Sequence, residues 1–191
     1  MSNDEAFPLP DDLPEPEDDG GADHLPGESV PSISLSATDG SSVDLSSLSG
    51  RTVVYCYPKT GRPDRDVIPD GWEEIPGARG CTPETRGFRD QYDSLLNSGI
   101  DEVYGLSVQS TAYQREFRDR LELPFEILSD SSMALTNRLE LPTFEAGGER
   151  LLKRLTLVLL DGRIEHVFYP IFPPDEHADE LLAWARAHAD E

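Results

Sequence analysis

Two stretches decide the fold: Arg51-Thr-Val-Val-Tyr-Cys-Tyr57 and Gly80-Cys-Thr-Pro-Glu84. The first is mostly β-branched and aromatic, which is typical of a central strand buried on both faces, and Pro58 ends it. In the second, Thr82 is an N-cap candidate and Pro83 suits the first position of a helix. Together they predict a buried strand, a loop at 60–80, and a helix that begins beside a cysteine and stops at Gly99.

The rest of the chain alternates strand and helix patterns around these stretches. A hairpin is expected at 32–48, with its turn at Asp39-Gly40, and a second at 155–169, with its turn at Asp161-Gly162. The intervening elements are predicted as strand 102–108, helix 111–121, strand 125–128, helix 132–139 and a loop at 142–148, with a closing helix at 175–188. This order predicts an α/β class, thioredoxin-like fold: a mixed central sheet flanked by helices, with an N-terminal β-hairpin.

The N-terminal residues differ in composition from the rest. Residues 1–28 hold ten acidic side chains, no Lys or Arg, and a series of prolines. A segment with so little to bury does not offset its ordering entropy, so we expect a disordered tail at 1–28 and one domain at 29–191.

The chain is strongly acidic, with 38 Asp and Glu against 16 Lys and Arg and a formal charge of -22. This charge disfavours nucleic acid and anionic membrane surfaces as partners. The basic residues are almost all Arg, since Lys59 and Lys153 are the two lysines. Adaptation to a salt-rich cytoplasm explains this surface as well as a GC-rich genome combined with an acidic tail does.

The cysteine count places the chain in a reducing compartment. Cys56 and Cys81 are too few for a disulfide framework, and the sequence has no secretory or membrane-spanning pattern, so we expect a cytoplasmic protein. The histidines have no metal-ligand spacing with the cysteines, and no phosphate-binding loop is visible, so neither a metal nor an organic cofactor is expected.

Cys81 is the candidate nucleophile. Only about 3% of a free thiol is ionised at neutral pH, whereas the thiolate is the reactive form. A helix N-terminus and a nearby guanidinium both favour the anion, so the sequence predicts a lowered pKa for Cys81.

The chain resembles the peroxiredoxins, closest to their Q-type or bacterioferritin-comigratory branch, from about residue 30 to 188. The matching segments are Val53-Val-Tyr-Cys-Tyr-Pro-Lys59, Gly80-Cys-Thr-Pro-Glu84, Phe88-Arg-Asp90, Gly105-Leu-Ser107, Leu123-Pro-Phe125, Leu128-Ser-Asp130 and Arg154-Leu-Thr156. The resemblance implies that Cys81 attacks the O–O bond of a hydroperoxide and becomes a sulfenic acid. It further implies that Arg154 holds the thiolate and that Glu84 orients Arg154.

Two departures from the family pattern affect the site. Twenty-two residues separate Pro58 from Cys81, and Ala78 stands where the family has a threonine. If the extra residues loop out, Thr60 replaces that threonine as hydrogen-bond donor and Pro58 shields the sulfur. A backbone amide is the alternative donor. Thr60 is otherwise interpreted as a turn residue without a catalytic role, with the insertion and its Trp72 covering the pocket.

The second departure is that Arg86 occupies the position of the usual resolving cysteine. The remaining thiol, Cys56, lies within an apolar strand, which favours a small buried hydrophobe over a resolving cysteine. We therefore expect a one-cysteine cycle with an external reductant: a thioredoxin-like protein, a glutaredoxin-like protein or a low-molecular-weight thiol.

Two other functions are compatible with this fold. A thioredoxin-type disulfide oxidoreductase needs a Cys-x-x-Cys pair, which the sequence lacks. A redox-sensing or binding module with little turnover stays open as the alternative, because the resolving cysteine is missing.

Overall fold

The central strand Arg51–Cys56 is buried at all six positions, as its apolar sequence predicts. It belongs to a computed structural model of the chain that describes residues 9, 12–62 and 68–189. The remaining residues lie outside the described part of the chain. They are residues 1–8, 10 and 11, where disorder is expected, residues 63–67 in the middle of the predicted loop, and residues 190–191.

Strands and helices follow the predicted order with two differences: a hairpin is added at 143–152, and the helix expected between Thr82 and Gly99 is divided in two at Gln91. The strands are β1 (Ser34–Ala37), β2 (Ser42–Asp44), β3 (Arg51–Cys56), β4 (Glu102–Ser107), β5 (Ile127–Ser129), β6 (Thr143–Ala146), β7 (Glu149–Leu152), β8 (Leu155–Leu160) and β9 (Arg163–Phe168). The helices are α1 (Cys81–Asp90), α2 (Tyr92–Leu96), α3 (Thr111–Leu121), α4 (Ala134–Leu139) and α5 (His177–His188). Short 3-10 turns lie at Leu45–Ser47, Trp72–Glu74 and Pro174–Glu176.

Seven strands form one mixed sheet in the order β2-β1-β5-β4-β3-β8-β9. The pairs β3/β4 and β4/β5 are parallel, and the other neighbours are antiparallel, so the predicted mixed sheet is confirmed. Cys56, the last residue of β3, pairs with Leu106 of β4 and with Leu155, the first residue of β8. The residues after β3, after β4 and before β8 therefore meet at one edge of the sheet.

Side chains alternate between the two faces of β3, and each face packs against its own core. Tyr55 joins α1, α2, α3 and α5 on one face, where Phe88 stacks on it with ring centroids 4.4 Å apart. Cys56 points to the opposite face, toward Leu135 of α4 and Leu25 of the N-terminal segment. The two cysteines thus belong to different layers, since Cys81 lies in the core with Tyr55.

Helix α1 begins two residues earlier than expected. The prediction that Thr82 caps it is wrong, because the N-cap is Gly80, with φ of 116°, and Cys81 is the first helical residue. Pro83 is tolerated at the third position because no intrahelical bond needs its missing N–H, and the first such bond runs from Glu84 N to Gly80 O at 3.0 Å.

The segment predicted as a loop at 142–148 contains β6 and enters the hairpin β6/β7. Gly147 and Gly148 both have positive φ, 58° and 79°, which is the geometry of a two-residue type I′ turn. The Gly-Gly pair was a hairpin signal that the prediction treated as loop composition. A smaller correction concerns 45–48, expected in the second strand of the first hairpin, where Leu45–Ser47 forms a 3-10 turn.

Residues 12–28 differ from the expected tail because they pack on the domain. Leu25 is fully buried, and Asp19 accepts hydrogen bonds from Lys153 Nζ and the Tyr169 hydroxyl, both at 2.7 Å. Gly27 N also donates to Ile164 O at 2.8 Å. A few apolar side chains among the acids suffice to order this segment once β9 offers backbone partners.

Candidate functional site

Cys81 lies where α1 begins, near the sheet edge at which β3, β4 and β8 meet. Cys81 is buried, with only 4% of its surface exposed to solvent. Gly80 has a left-handed φ of 116°, and a Cβ added there would collide with the Pro174 side chain. Glycine is therefore required at this position, and the Gly80–Pro174 approach sets the entry of the chain into α1.

Arg154 comes between β7 and β8, which brings its guanidinium to the sulfur. Arg154 Nη2 lies 3.1 Å from Cys81 Sγ, and Arg154 Nη1 donates to Glu84 Oε1 at 2.8 Å. Arg154 Nε donates to Gly77 O at 3.2 Å and Nη2 donates to Ala78 O at 2.9 Å. These acceptors hold the guanidinium plane in one orientation beside the thiol.

Burial and charge act in opposite directions on the ionisation of this group. Burial raises the pKa of the Cys81 thiol above its ordinary value, while the Arg154 charge and a hydrogen bond from the Lys59 backbone lower it without reversing the rise. Burial likewise raises the pKa of Glu84, against the opposing Arg154 charge. The expectation of a lowered thiol pKa is not met in this closed site, because desolvation outweighs the guanidinium.

Thr60 reaches the same cavity as Cys81, but its hydroxyl does not bond the sulfur. Thr60 Oγ1 lies 3.3 Å from Gln109 Oε1, and Gln109 Nε2 donates to Thr60 O at 3.2 Å. The Tyr113 hydroxyl also donates to Thr60 O at 2.9 Å. Besides Arg154 Nη2, the Lys59 backbone acts as a hydrogen-bond donor that lowers the pKa of the Cys81 thiol, which corresponds to the backbone-amide alternative.

The other predicted residues are distributed around this centre. Pro58 is buried two residues after the end of β3, and Thr82 lies in the first turn of α1, on the cavity wall. Both cysteines are free, and burial raises the pKa of Cys56, which lies in the opposite core layer. Arg86, one turn further along α1, lines the cavity as well.

The cavity above Cys81 has a volume of about 520 Å³. Its wall combines α1, the segment after β3 and the loop that carries Trp72. Trp72 is itself buried and packs against Phe144 of β6, with ring centroids 5.9 Å apart. The described parts of the 60–80 loop thus form one side of the pocket, and the hairpin β6/β7 supports them.

The sequence did not identify Gln109 and Tyr113 as site residues. Both contact Thr60 and hold it in position. A signal for Gln109 existed, because it follows β4, a strand parallel to β3, and polar residues after parallel strands gather at one sheet edge. The carbonyls of Gly77 and Ala78 leave no signal in the sequence, since any residue supplies a carbonyl.

Neither a metal-binding cluster nor a membrane-spanning helix is present among the described residues. Residues 9, 12–62 and 68–189 contain no group of His, Cys, Asp and Glu arranged to hold a metal ion. Within the same part of the chain, no helix combines the length and apolar character needed to span a bilayer.

Comparison with known proteins identifies the relatives. The family model described as Redoxin matches residues 25–182. Peroxiredoxin Bcp of Escherichia coli is 31% identical over 173 residues, covering 85% of this chain and 96% of its own. Chloroplastic peroxiredoxin Q of Oryza sativa subsp. japonica is 32% identical over 158 residues, covering 82% of this chain but 64% of the rice protein. This chain thus spans somewhat less than two thirds of the rice relative.

A solved structure agrees in fold. It is that of Xanthomonas campestris bacterioferritin comigratory protein, a protein with alkyl peroxide reduction activity. The structure has a TM-score of 0.67 and 23% identity, and it covers 87% of this chain and 99% of its own. With the family model spanning most of the domain, the chain belongs to the Redoxin family, on the branch of peroxiredoxin Q and the bacterioferritin comigratory proteins.

Proposed function

We propose that this chain is a thiol-dependent peroxidase in which Cys81 is the nucleophile and Arg154 stabilises charge. The observation that carries the proposal is the 3.1 Å approach of Arg154 Nη2 to Cys81 Sγ at the base of a cavity. The relatives named for peroxiredoxin activity support the same reaction class.

In the proposed reaction the Cys81 thiolate attacks the nearer oxygen of a hydroperoxide. The O–O bond breaks, sulfur gains an S–O bond and becomes a sulfenic acid, and the distal oxygen leaves with a proton as water or an alcohol. Arg154 acts where negative charge shifts from sulfur to oxygen, and Glu84 keeps its guanidinium in place. The Lys59 backbone is the second donor, and Thr60 shapes the cavity beside it.

The sulfenic acid needs an external thiol in this scheme. Cys56 lies in the opposite core layer from Cys81, and Arg86 stands at the position of the local resolving cysteine. A thioredoxin-like protein, a glutaredoxin-like protein or a low-molecular-weight thiol completes the cycle. Such reductants are maintained in a reducing cytoplasm, which is where we place the cycle.

Mass spectrometry after one equivalent of hydrogen peroxide tests the proposal. The expected product is a sulfenic acid, which adds one oxygen to Cys81 and which dimedone converts to a stable adduct. Cys81→Ser is expected to abolish both the dimedone adduct and peroxide consumption. Cys56→Ala is the matched control and is expected to form the adduct normally. Oxidation confined to Cys56, or full peroxide consumption by the Cys81→Ser variant, would refute the mechanism.

A second candidate is a redox sensor with little turnover, and burial of Cys81 with its raised thiol pKa favours it. Steady-state peroxide consumption separates the two functions. Sustained turnover with thioredoxin or a small thiol supports the peroxidase, whereas a single oxidation without recycling supports the sensor.

A further inference from the structure

The described wall of the cavity above Cys81 is lined by basic side chains, whereas the chain as a whole is acidic. This wall contains five cationic side chains and, within the part of the wall that the structure describes, neither Asp nor Glu. The cations are Lys59, Arg62, Arg79, Arg86 and Arg120. In a chain with a formal charge of -22, this concentration of basic groups at one site favours an anionic ligand.

Three of these cations have described carboxylate partners outside the cavity wall, which hold them in position. Lys59 Nζ lies 3.0 Å from Glu149 Oε1. Arg79 Nη1 lies 2.9 Å from Glu73 Oε1, and Arg120 Nε lies 2.9 Å from Glu116 Oε1. Arg120 Nη2 also donates to Gly61 O at 3.1 Å. Because a guanidinium has five N–H donors, these contacts orient it and leave it able to donate to a ligand as well.

The cavity is larger than the peroxide step requires. Hydrogen peroxide is about the size of two water molecules, roughly 60 Å³, whereas the cavity measures about 520 Å³, within the range of small-molecule sites. In the peroxide step, negative charge shifts from the sulfur to the leaving oxygen beside Arg154. The cationic wall lies around the remaining volume, which is open to a second substrate.

That second substrate has to bring a thiol to the Cys81 sulfur. Cys81 lies at the base of the cavity and is only 4% exposed. A compact molecule therefore reaches its sulfur more readily than a thiol fixed on a protein surface does. Trp72, Ile68 and Pro83 add apolar surface to the same wall. The wall as a whole suits a short aliphatic stem with an anionic end.

We propose that the reductant of this site is a small thiol that carries carboxylate groups, bound by the cavity arginines. This inference rests on the proposed peroxidase function. The reductant's thiolate attacks the Cys81 sulfur, and the sulfenic oxygen leaves with a proton as water, forming a mixed disulfide. A second molecule attacks the reductant's own sulfur and releases the Cys81 thiolate with a small-molecule disulfide. Two thiols are oxidised for each peroxide reduced.

A charge series of thiols tests the inference. The protein is oxidised with one equivalent of hydrogen peroxide and mixed with 3-mercaptopropionate, 2-mercaptoethanol or cysteamine, and the mixed disulfide is followed by quenched-flow mass spectrometry. With rates expressed per thiolate, we expect 3-mercaptopropionate to react at least about tenfold faster than 2-mercaptoethanol, with cysteamine slowest. The preference is expected to shrink at high salt, since screening weakens the attraction.

Variants connect this preference to the cavity. The double variant Arg79→Gln/Arg86→Gln is expected to bring the ratio of 3-mercaptopropionate to 2-mercaptoethanol close to one. Arg186→Gln, at an exposed position of α5 outside the cavity wall, changes the net charge by one and is the control, expected to keep the wild-type ratio.

The outcomes separate the two proposals. Sulfenic acid at Cys81 with equal thiol rates overturns the inference and leaves the peroxidase proposal standing. The inference is also overturned if charge preference is found in the peroxide step alone, measured with hydrogen peroxide against a carboxylate-bearing hydroperoxide. Failure of Cys81 to form a sulfenic acid contradicts the peroxidase proposal itself.

Discussion

One guanidinium joins Cys81 to Glu84: Arg154 Nη2 lies 3.1 Å from the sulfur, and Nη1 lies 2.8 Å from the carboxylate. Arg154 and Glu84 are 3% and 0% exposed, so neither charge is solvated by water. The pair therefore has two separable effects. It neutralises charge inside the fold, and it presents a cation to the reacting sulfur.

Arg154→Gln is expected to impair chemistry and stability together. Without the cation, the pKa of Cys81 rises further and the oxidation rate falls by about 100-fold. The Glu84 carboxylate is also left buried without its partner, which costs about 3 to 5 kcal/mol of unfolding free energy. Stopped-flow oxidation and denaturant unfolding measure the two effects.

The double variant Arg154→Gln/Glu84→Gln separates them. It contains no unpaired buried charge, so we expect stability to recover toward wild type while the oxidation rate stays low. Recovery of the rate together with stability would mean that Arg154 only supports the fold.

The alkylation rate of Cys81 is expected to rise with pH through about 8.5 and beyond, because burial raises the pKa of the thiol above its ordinary value. The same shift makes folding stability decline as pH rises above the pKa of the unfolded thiol, since the native state holds the proton more tightly. Iodoacetamide kinetics in a Cys56→Ala background report on Cys81 alone. A rate that is already constant below about pH 7 would show that Arg154 and the helix N-terminus outweigh burial.

Gly80→Ala is expected to damage the site without touching a reacting group. The substitution places a Cβ at a φ of 116° and against Pro174, so α1 must shift at its first residue. We expect a loss of at least about 1 kcal/mol in stability and a reduced rate of Cys81 oxidation. Gly40→Ala is the comparison, since it shares a positive φ of 89° but has open space around the added carbon. Equal oxidation rates in the two variants would contradict a special role for the Gly80 position.

The sheet and its helices follow from local patterns in the sequence. Residues 111–121 and 155–160 were predicted with the bounds that the structure has, because each is a clear apolar pattern between capping or turn residues. The start of α1 was displaced, since Gly80 caps the helix through its backbone conformation and Thr82 looked like a side-chain cap. The close approach of Pro174 to Gly80 depends on tertiary packing, which sequence spacing does not reveal.

The sequence predicted the side chains of the site but not the backbone groups that contribute to it. Cys81, Arg154 and Glu84 come together as the family resemblance implies. The expected bond from Thr60 to the sulfur is absent from the described contacts, because Gln109 engages its hydroxyl and the Lys59 backbone bonds the sulfur instead. The direction of the thiol pKa depends on how completely the site excludes water, and this depth of burial is a property of the whole fold.

Leu25→Ala tests the packing of the N-terminal segment, where composition alone indicated a solvated tail. Leu25 is fully buried in the core shared with Leu135 and Cys56. We expect the substitution to lower the unfolding free energy by about 2 to 5 kcal/mol, as for other buried leucines. Leu160→Ala, at a position 37% exposed, removes the same atoms and is expected to change stability by no more than about 0.5 kcal/mol. Denaturant unfolding measures the free energy of unfolding of both variants. Equal values for Leu25→Ala and Leu160→Ala would indicate that residues 12–28 are a solvated segment that does not pack on the domain.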